Sequence, residues 1–134
     1  MTVAETREFL RARGCPEPVV SAGADGLVEE WERVVEQVER GYPLGLDDYL
    51  NDMDGRELIA ALMHAVARAL TPVQKRRLVA ADERMRAAVE PLAHCLWGDR
   101  LAAANGWDAG RNWWYFSRPV DPGPDLAQEL VRFK

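Results

Sequence analysis

Apolar residues recur at spacings of three and four along most of the chain, which is the pattern of amphipathic helices. The residues from Leu27 to Val38 form one such stripe around Trp31. Thr71, Pro72 and Gln74 combine an N-cap, a proline at the first helical position and a capping-box glutamine, so they mark a helix start. We predict helices over residues 3–13, 26–40, 54–70, 72–97 and 125–133, with a short helical turn over 46–53.

Prolines and glycines interrupt this pattern. Residues 15–26 contain Pro16 and Pro18 and are predicted to form a loop. Pro91 falls within the helix predicted over 72–97 and should kink it, because proline removes one helical hydrogen bond. Residues 112–118 are rich in aromatic side chains, which are common in strands, so they are the best strand candidate.

These elements predict an all-α fold, a compact bundle of about five helices of which one is long and proline-kinked. The core consists of the antiparallel helices over 26–40, 54–70 and 72–97, followed by an extended aromatic C-terminal segment and the short final helix. With 134 residues, the chain is predicted to form a single helical domain over 1–134.

The charge balance narrows the classes of function. Lys and Arg total 17 and Asp and Glu total 22, which gives a net charge of −5. An acidic protein is a poor binder of nucleic acid or of anionic membranes, because phosphate neutralisation needs a cationic face. No apolar run is long enough for a membrane span, and the first residues lack the pattern of a signal peptide. We therefore expect a cytoplasmic protein that binds neither nucleic acid nor membranes.

The most acidic segment runs over residues 47–55 and includes Asp47, Asp48 and Asp52. It resembles part of an EF-hand loop, but Leu50 and Ala61 would occupy two ligand positions, so a Ca²⁺ site is not predicted. Three interpretations stay open: a capped turn with carboxylates near a helix N-terminus, a docking surface for a basic partner, and a weak metal site.

Asp82 is the least expected residue, because helical periodicity places it near the apolar stripe of Leu78, Met85 and Val89. A buried carboxylate needs a charged or donor partner. That partner could be Arg86, a residue of another helix or an indole N–H of the tail. Asp82 is either a structural anchor or a catalytic or ligand-binding carboxylate.

The glutamates of the helix over 26–40 are spaced like the paired carboxylates that hold Mg²⁺ in all-α nucleoside-triphosphate pyrophosphatases. Glu29 and Glu36, however, point away from the apolar stripe and lie four residues from Arg33 and Arg40, as solvent-facing charges do. We therefore predict no metal site and no cofactor.

The aromatic run that includes Trp113 and Trp114 has two interpretations. Its rings can pack across the helices, or an exposed part of it, with Trp97 nearby and Arg118 flanking it, can form a partner-binding hot spot.

Three segments carry a resemblance: residues 41–52 (GYPLGLDDYLND), 82–85 (DERM) and 113–119 (WWYFSRP). Together they resemble a family of small uncharacterised bacterial proteins over most of the chain. The resemblance implies a bacterial, cytoplasmic, helical protein and transfers no catalytic residues.

The sequence favours a non-catalytic module that binds another protein, with an immunity-like or antitoxin-like role as its sharpest form, since an acidic surface steers a basic partner. The tentative binding residues are Asp47, Asp48, Asp52, Asp82, Trp97, Trp113, Trp114 and Arg118. The alternative is a small-ligand binder or metal-dependent hydrolase with a pocket near Asp82 and the tryptophans. A homodimer is a third expectation.

Overall fold

The computed structural model describes residues 2–133, and these residues form six α-helices and one small antiparallel sheet. The helices are α1 (Thr2–Ala12), α2 (Glu17–Arg40), α3 (Leu46–Ala65), α4 (Pro72–Ala88), α5 (Asp99–Asn105) and α6 (Pro124–Glu129). The strands are β1 (Val89–Pro91) and β2 (Ser117–Pro119), and two 3-10 turns span Trp113–Tyr115 and Leu130–Phe133.

The prediction of a mostly helical fold is confirmed, and its core lies where the sequence placed it. Helix α2 packs against both α3 and α4, and one connected apolar cluster fills the space between them. Trp31 of α2, Ile59 of α3 and Met85 of α4 are among its fully buried members. The N-terminus of α4 has the predicted capping box between Thr71 and Gln74.

The start of α2 differs from the prediction of a loop over 15–26. The helix begins at Glu17, so Pro18 lies in its first turn, where a missing N–H breaks no helical hydrogen bond. The change of direction that we expected from a loop is made instead by Gly23, whose φ of 62° and ψ of −151° bend the helix. Only glycine adopts such a conformation without steric conflict.

The predicted turn over 46–53 and the helix predicted to start at Asp54 form one continuous helix, α3. Gly55 lies in its interior without ending it, because buried side chains on both sides hold the helix against the core. Asp54 is therefore not an N-cap, and its carboxylate is available for contacts with the tail.

The prediction of a long, proline-kinked helix over 72–97 is wrong. Helix α4 ends at Ala88, and Pro91 lies in β1, opposite Ser117 of β2. The residue before a proline disfavours helical backbone, and a short edge strand accepts a proline that a helix interior does not. Helix α5, which was not predicted, follows Gly98.

The prediction of a strand over 112–118 is also wrong for most of this segment. Trp113, Trp114 and Tyr115 form a 3-10 turn, and only the residues from Ser117 onward pair as a strand. The turn buries all three rings, which an extended strand with two faces would not achieve. The predicted final helix is present as α6 and the 3-10 turn that follows it.

The tail is fastened to the loop before α3. The Glu129 carboxylate accepts a hydrogen bond from the N–H of Leu46, 3.1 Å away, and so caps the N-terminus of α3. Gly123 lies so close to the carbonyl of Tyr42 that a Cβ atom would stand 2.2 Å from its oxygen.

None of the helices within residues 2–133 is long and apolar enough to cross a bilayer.

Candidate functional site

Asp82 lies at the junction of the three core helices. Arg56 of α3 donates two hydrogen bonds to its carboxylate, from Nε at 3.0 Å and from an Nη nitrogen at 2.8 Å. The indole N–H of Trp31 in α2 donates a third, at 2.9 Å. The side chains of Arg56 and Asp82 are only 10% and 18% exposed, so the ion pair is closed to most ligands.

Of the three partners that the sequence allowed for Asp82, the structure supplies the residue from another helix. The indole that also binds it belongs to α2 and not to the tail. Arg86 instead lies over the ring of Trp113, 4.2 Å from its centroid. A carboxylate that is fully hydrogen-bonded and sealed by an arginine has the geometry of a structural anchor.

The same arginine connects this anchor to the aromatic tail. The Arg56 guanidinium lies over the Trp114 ring, 4.4 Å from its centroid, and Trp114 contacts Trp113 edge to face. Trp113 and Trp114 are buried, so both pack as core residues. Arg118 lies apart from them on β2, with its Nε 3.5 Å from Glu90 of β1.

Trp97 is partly exposed, and it converges with the tail on Asp54. The Asp54 carboxylate accepts hydrogen bonds from the Trp97 indole, at 3.0 Å, and from the Tyr115 hydroxyl. Burial and this hydrogen bond raise the pKa of Tyr115 far above its usual range, so its hydroxyl stays a donor.

The acidic residues at the start of α3 have a different environment. Asp47 and Asp48 are exposed in its first turn, and Asp52 is half-buried one turn later. The hydroxyl of Tyr42 donates a hydrogen bond to Asp52. Among residues 2–133, no lysine or arginine forms an ion pair with any of these three carboxylates.

The electrostatics of Asp52 follow from this environment. Burial raises the pKa of its carboxyl, the hydrogen bond from Tyr42 lowers it, and the neighbouring charges of Glu30 and Asp48 raise it again, with a net upward shift. Tyr42 itself stays protonated, because burial and the adjacent carboxylate raise its pKa well above the usual range.

Asp52 stands on the rim of a groove of about 450 Å³ between α2 and α3, which we call the acidic groove. Glu30 and Asp54 are its other carboxylates, and within residues 2–133 no lysine or arginine lines it. Its remaining walls are mainly apolar: Pro16, Val19, Leu27, Trp31, Val34 and Leu58.

Most carboxylates of α2 have a cationic partner, including Glu30, which pairs with Arg33 of the same helix at 2.6 Å. Arg77 of α4 binds Glu32 and Asp25, Arg84 of α4 binds Glu39, and Arg40 pairs with Glu36. Within residues 2–133, no group of three His, Cys, Asp or Glu side chains is arranged to hold a metal ion. The groove therefore combines an apolar floor with a rim on which Asp52 and Asp54 have no ion-pair partner within residues 2–133, whereas Glu30 has Arg33.

The structure thus joins Asp48 and Asp52 with Glu30, and it separates them from Asp82, Trp113, Trp114 and Arg118. Glu30, Tyr42 and Arg56 were not predicted as site residues. Arg56 could have been found, because it lies three residues from both Met53 and Ile59 and so shares their buried face.

No protein-family model matches this chain, no curated protein matches it in sequence, and no solved structure matches it in fold.

Proposed function

We propose that this protein is a non-catalytic module that binds a basic segment of another protein in the acidic groove. The observation that carries the proposal is Asp52, a half-buried carboxylate whose direct partner is a neutral phenol. An arginine or lysine of a partner would supply Asp52 with the counter-charge that the described residues do not give it.

The shape of the groove specifies the chemistry of this segment. Leu27, Val34 and Leu58 offer apolar contacts beside the carboxylates. A segment with basic side chains next to leucine or a similar apolar residue would fit both properties. Asp47 and Asp48, which are exposed in the turn of α3 that precedes Asp52, would attract such a segment over a longer range.

The sharpest form of the proposal is an immunity-type or antitoxin-type role, in which the groove captures a basic surface of a toxic protein. Its support is the charge complementarity described above, together with the closed geometry of Asp82. The alternative of a small-ligand or hydrolase site at Asp82 has less support, because Arg56 and Trp31 occupy the positions that a ligand would need.

The experiment measures the binding of a fluorescently labelled peptide of alternating arginine and leucine residues by anisotropy, with a peptide of glutamate and leucine as the comparison. We expect saturable binding of the arginine peptide only, and a fall in affinity as salt is added. The double variant Asp48→Asn/Asp52→Asn should bind about tenfold more weakly at low ionic strength, since each charge contributes a fraction of a kcal/mol.

A matched control is the double variant Glu83→Gln/Asp121→Asn, which removes the same net charge from exposed positions outside the groove. It should bind the arginine peptide as the unchanged protein does. An equal loss in both double variants would reduce the effect to net charge and would contradict the groove as the site. Self-association that disappears in Asp48→Asn/Asp52→Asn would identify a second copy as the occupant and would contradict a separate partner.

A further inference from the structure

A second cavity lies between α1, the bend of α2 at Gly23 and the turn that joins α3 to α4. Its volume is about 650 Å³, which falls within the range of roughly 300–1,000 Å³ typical of small-molecule sites. It shares no lining residue with the acidic groove. We call it the α1 cleft.

The walls of the α1 cleft are largely apolar. Val3 of α1, Ala22 and Ala24 at the bend of α2, and Leu70 and Pro72 at the start of α4 all line it. Val3 is 64% exposed. An apolar ligand in the cleft would remove this surface from water.

Thr6 supplies a hydroxyl to the wall of the cleft. Thr6 of α1 is only 4% exposed, and it is one of the residues that line the cleft. A hydroxyl can donate one hydrogen bond and accept others. A ligand oxygen in the cleft could therefore accept a hydrogen bond from it.

The charges around the cleft are of the opposite sign to those of the acidic groove. Arg7, Arg68 and Lys75 line it, and no carboxylate within residues 2–133 forms an ion pair with any of them. Asp25 is the acidic residue on the rim, and it is bound to Arg77 at 2.8 Å. The cleft therefore presents three cations that the surrounding residues leave unneutralised.

The backbone holds one of these cations in place at a conformational cost. Arg68 has a φ of 59°, in the left-handed region that non-glycine residues rarely adopt. This conformation turns the chain between α3 and α4 and brings the arginine to the rim of the cleft. Lys75 stands near the N-terminus of α4, where the helix dipole also favours an anion.

We propose that the α1 cleft binds a small carboxylic acid with an apolar body, such as a fatty or aryl acid. The apolar walls take the body, the Thr6 hydroxyl donates a hydrogen bond to a carboxylate oxygen, and Arg68 and Lys75 neutralise the charge with help from Arg7. This site is independent of the acidic groove and of any protein partner.

The test uses calorimetric titration with decanoate below its micelle concentration, and with decanol and acetate as comparisons. We expect one decanoate to bind per chain, and we expect decanol and acetate to bind at least about tenfold more weakly, because each lacks one half of the recognition. Decanol binding as tightly as decanoate would overturn the proposal, as would the absence of saturable decanoate binding.

Two variants assign the binding to the cleft. Arg68→Asn/Lys75→Gln removes two cations, and asparagine tolerates the left-handed backbone, so decanoate affinity should fall about tenfold or more without loss of the fold. The matched control Arg76→Gln/Arg100→Gln removes two exposed cations outside the cleft and should bind decanoate with unchanged affinity. Equal affinities in the two double variants would overturn the proposal.

The variant Thr6→Val tests the hydroxyl with a separate measurement. Valine has nearly the same shape and removes the donor, so decanoate affinity should fall while the melting temperature without ligand stays close to that of the unchanged protein. A threonine with only a structural role would instead give a lower melting temperature and an unchanged decanoate affinity. Unchanged decanoate affinity in Thr6→Val would contradict the proposed hydrogen bond.

Discussion

Asp82 and Asp52 are both partly buried carboxylates, and they have opposite environments. Asp82 accepts three hydrogen bonds, two from an arginine and one from an indole, and is closed off between α2, α3 and α4. Asp52 accepts a hydrogen bond from the Tyr42 phenol and faces a groove that carries two further carboxylates. One carboxylate is neutralised by the fold, and the other keeps its charge available at the surface.

This difference separates a charge that stabilises the fold from a charge that is free to attract a partner. A buried ion pair needs both members, because removal of one leaves the other without a counter-charge in a medium that solvates it poorly. A carboxylate that lacks a cation destabilises the folded state slightly and attracts cations from outside. Stability measurements can therefore distinguish the two roles without knowledge of any partner.

The largest effect is expected at Asp82, the carboxylate that the fold closes off. Asp82→Leu removes the counter-charge of the buried Arg56 guanidinium, and we expect the free energy of unfolding to fall by about 3–5 kcal/mol. Urea denaturation measures this change. The double variant Arg56→Met/Asp82→Leu should recover most of the loss, because it leaves no unpaired charge. A single variant within about 1 kcal/mol of the unchanged protein would contradict a structural role for Asp82.

The second prediction concerns Tyr42, which donates a hydrogen bond to Asp52, the carboxylate at the groove. Gly123 has an ordinary φ of −64°, but an added Cβ would stand 2.2 Å from the backbone oxygen of Tyr42, which must then move. We expect Gly123→Ala to lower the free energy of unfolding by about 1–3 kcal/mol, as overpacking does. Urea denaturation again provides the measurement.

The matched control for this substitution is Gly55→Ala. Gly55 lies within α3 with no atom in the way of a Cβ, so alanine should stabilise the protein by about 0.5–1 kcal/mol through helix propensity. The same chemical change is thus expected to have opposite signs at the two positions. Stabilisation by Gly123→Ala would show that the tail does not press on the loop of Tyr42.

The contrast between the two carboxylates also shows what the sequence could predict. The start of α4 was predicted correctly because Thr71, Pro72 and Gln74 interact with one another locally. The inward position of Asp82 followed from helical periodicity, which is local as well. A residue of another helix was among the expected partners, but Arg56 itself was not identified, because a helix start at Asp54 places Arg56 in a first turn rather than on a buried face.

The errors elsewhere have the same physical origin. Pro91 was expected to kink a helix, but residues from Val89 onward pair with β2, which lies far along the chain. The 3-10 turn of Trp113–Tyr115 likewise depends on burial against α3 and not on the strand propensity of its residues. Neither long-range contact leaves a signal in the neighbouring sequence.

The smallest expected effect concerns how the free energy of unfolding depends on pH. The folded-state pKa of Asp52 lies above its ordinary value of 3.8, so the folded protein holds this proton more tightly than the unfolded chain. The stability that the protonated carboxyl contributes is therefore present at low pH and is lost as the pH rises through the folded-state pKa. Asp52→Asn should raise the free energy of unfolding at pH 7, by less than about 1 kcal/mol, and the gain should vanish in acid.

Asp108 provides the matched comparison, because the same substitution should there have the opposite sign. Hydrogen bonds from the Arg111 backbone and then from its side chain lower the pKa of Asp108, so its contribution to stability is present at neutral pH and is lost as the pH falls through that lowered value. Asp108→Asn should destabilise the protein at pH 7 and have little effect in strong acid. Thermal denaturation of both variants across this pH range measures the two trends. If Asp52→Asn also destabilised the protein at pH 7, favourable interactions of the Asp52 carboxylate would have to outweigh its burial and the charges of Glu30 and Asp48. The distinction between Asp82 and Asp52 would then fail.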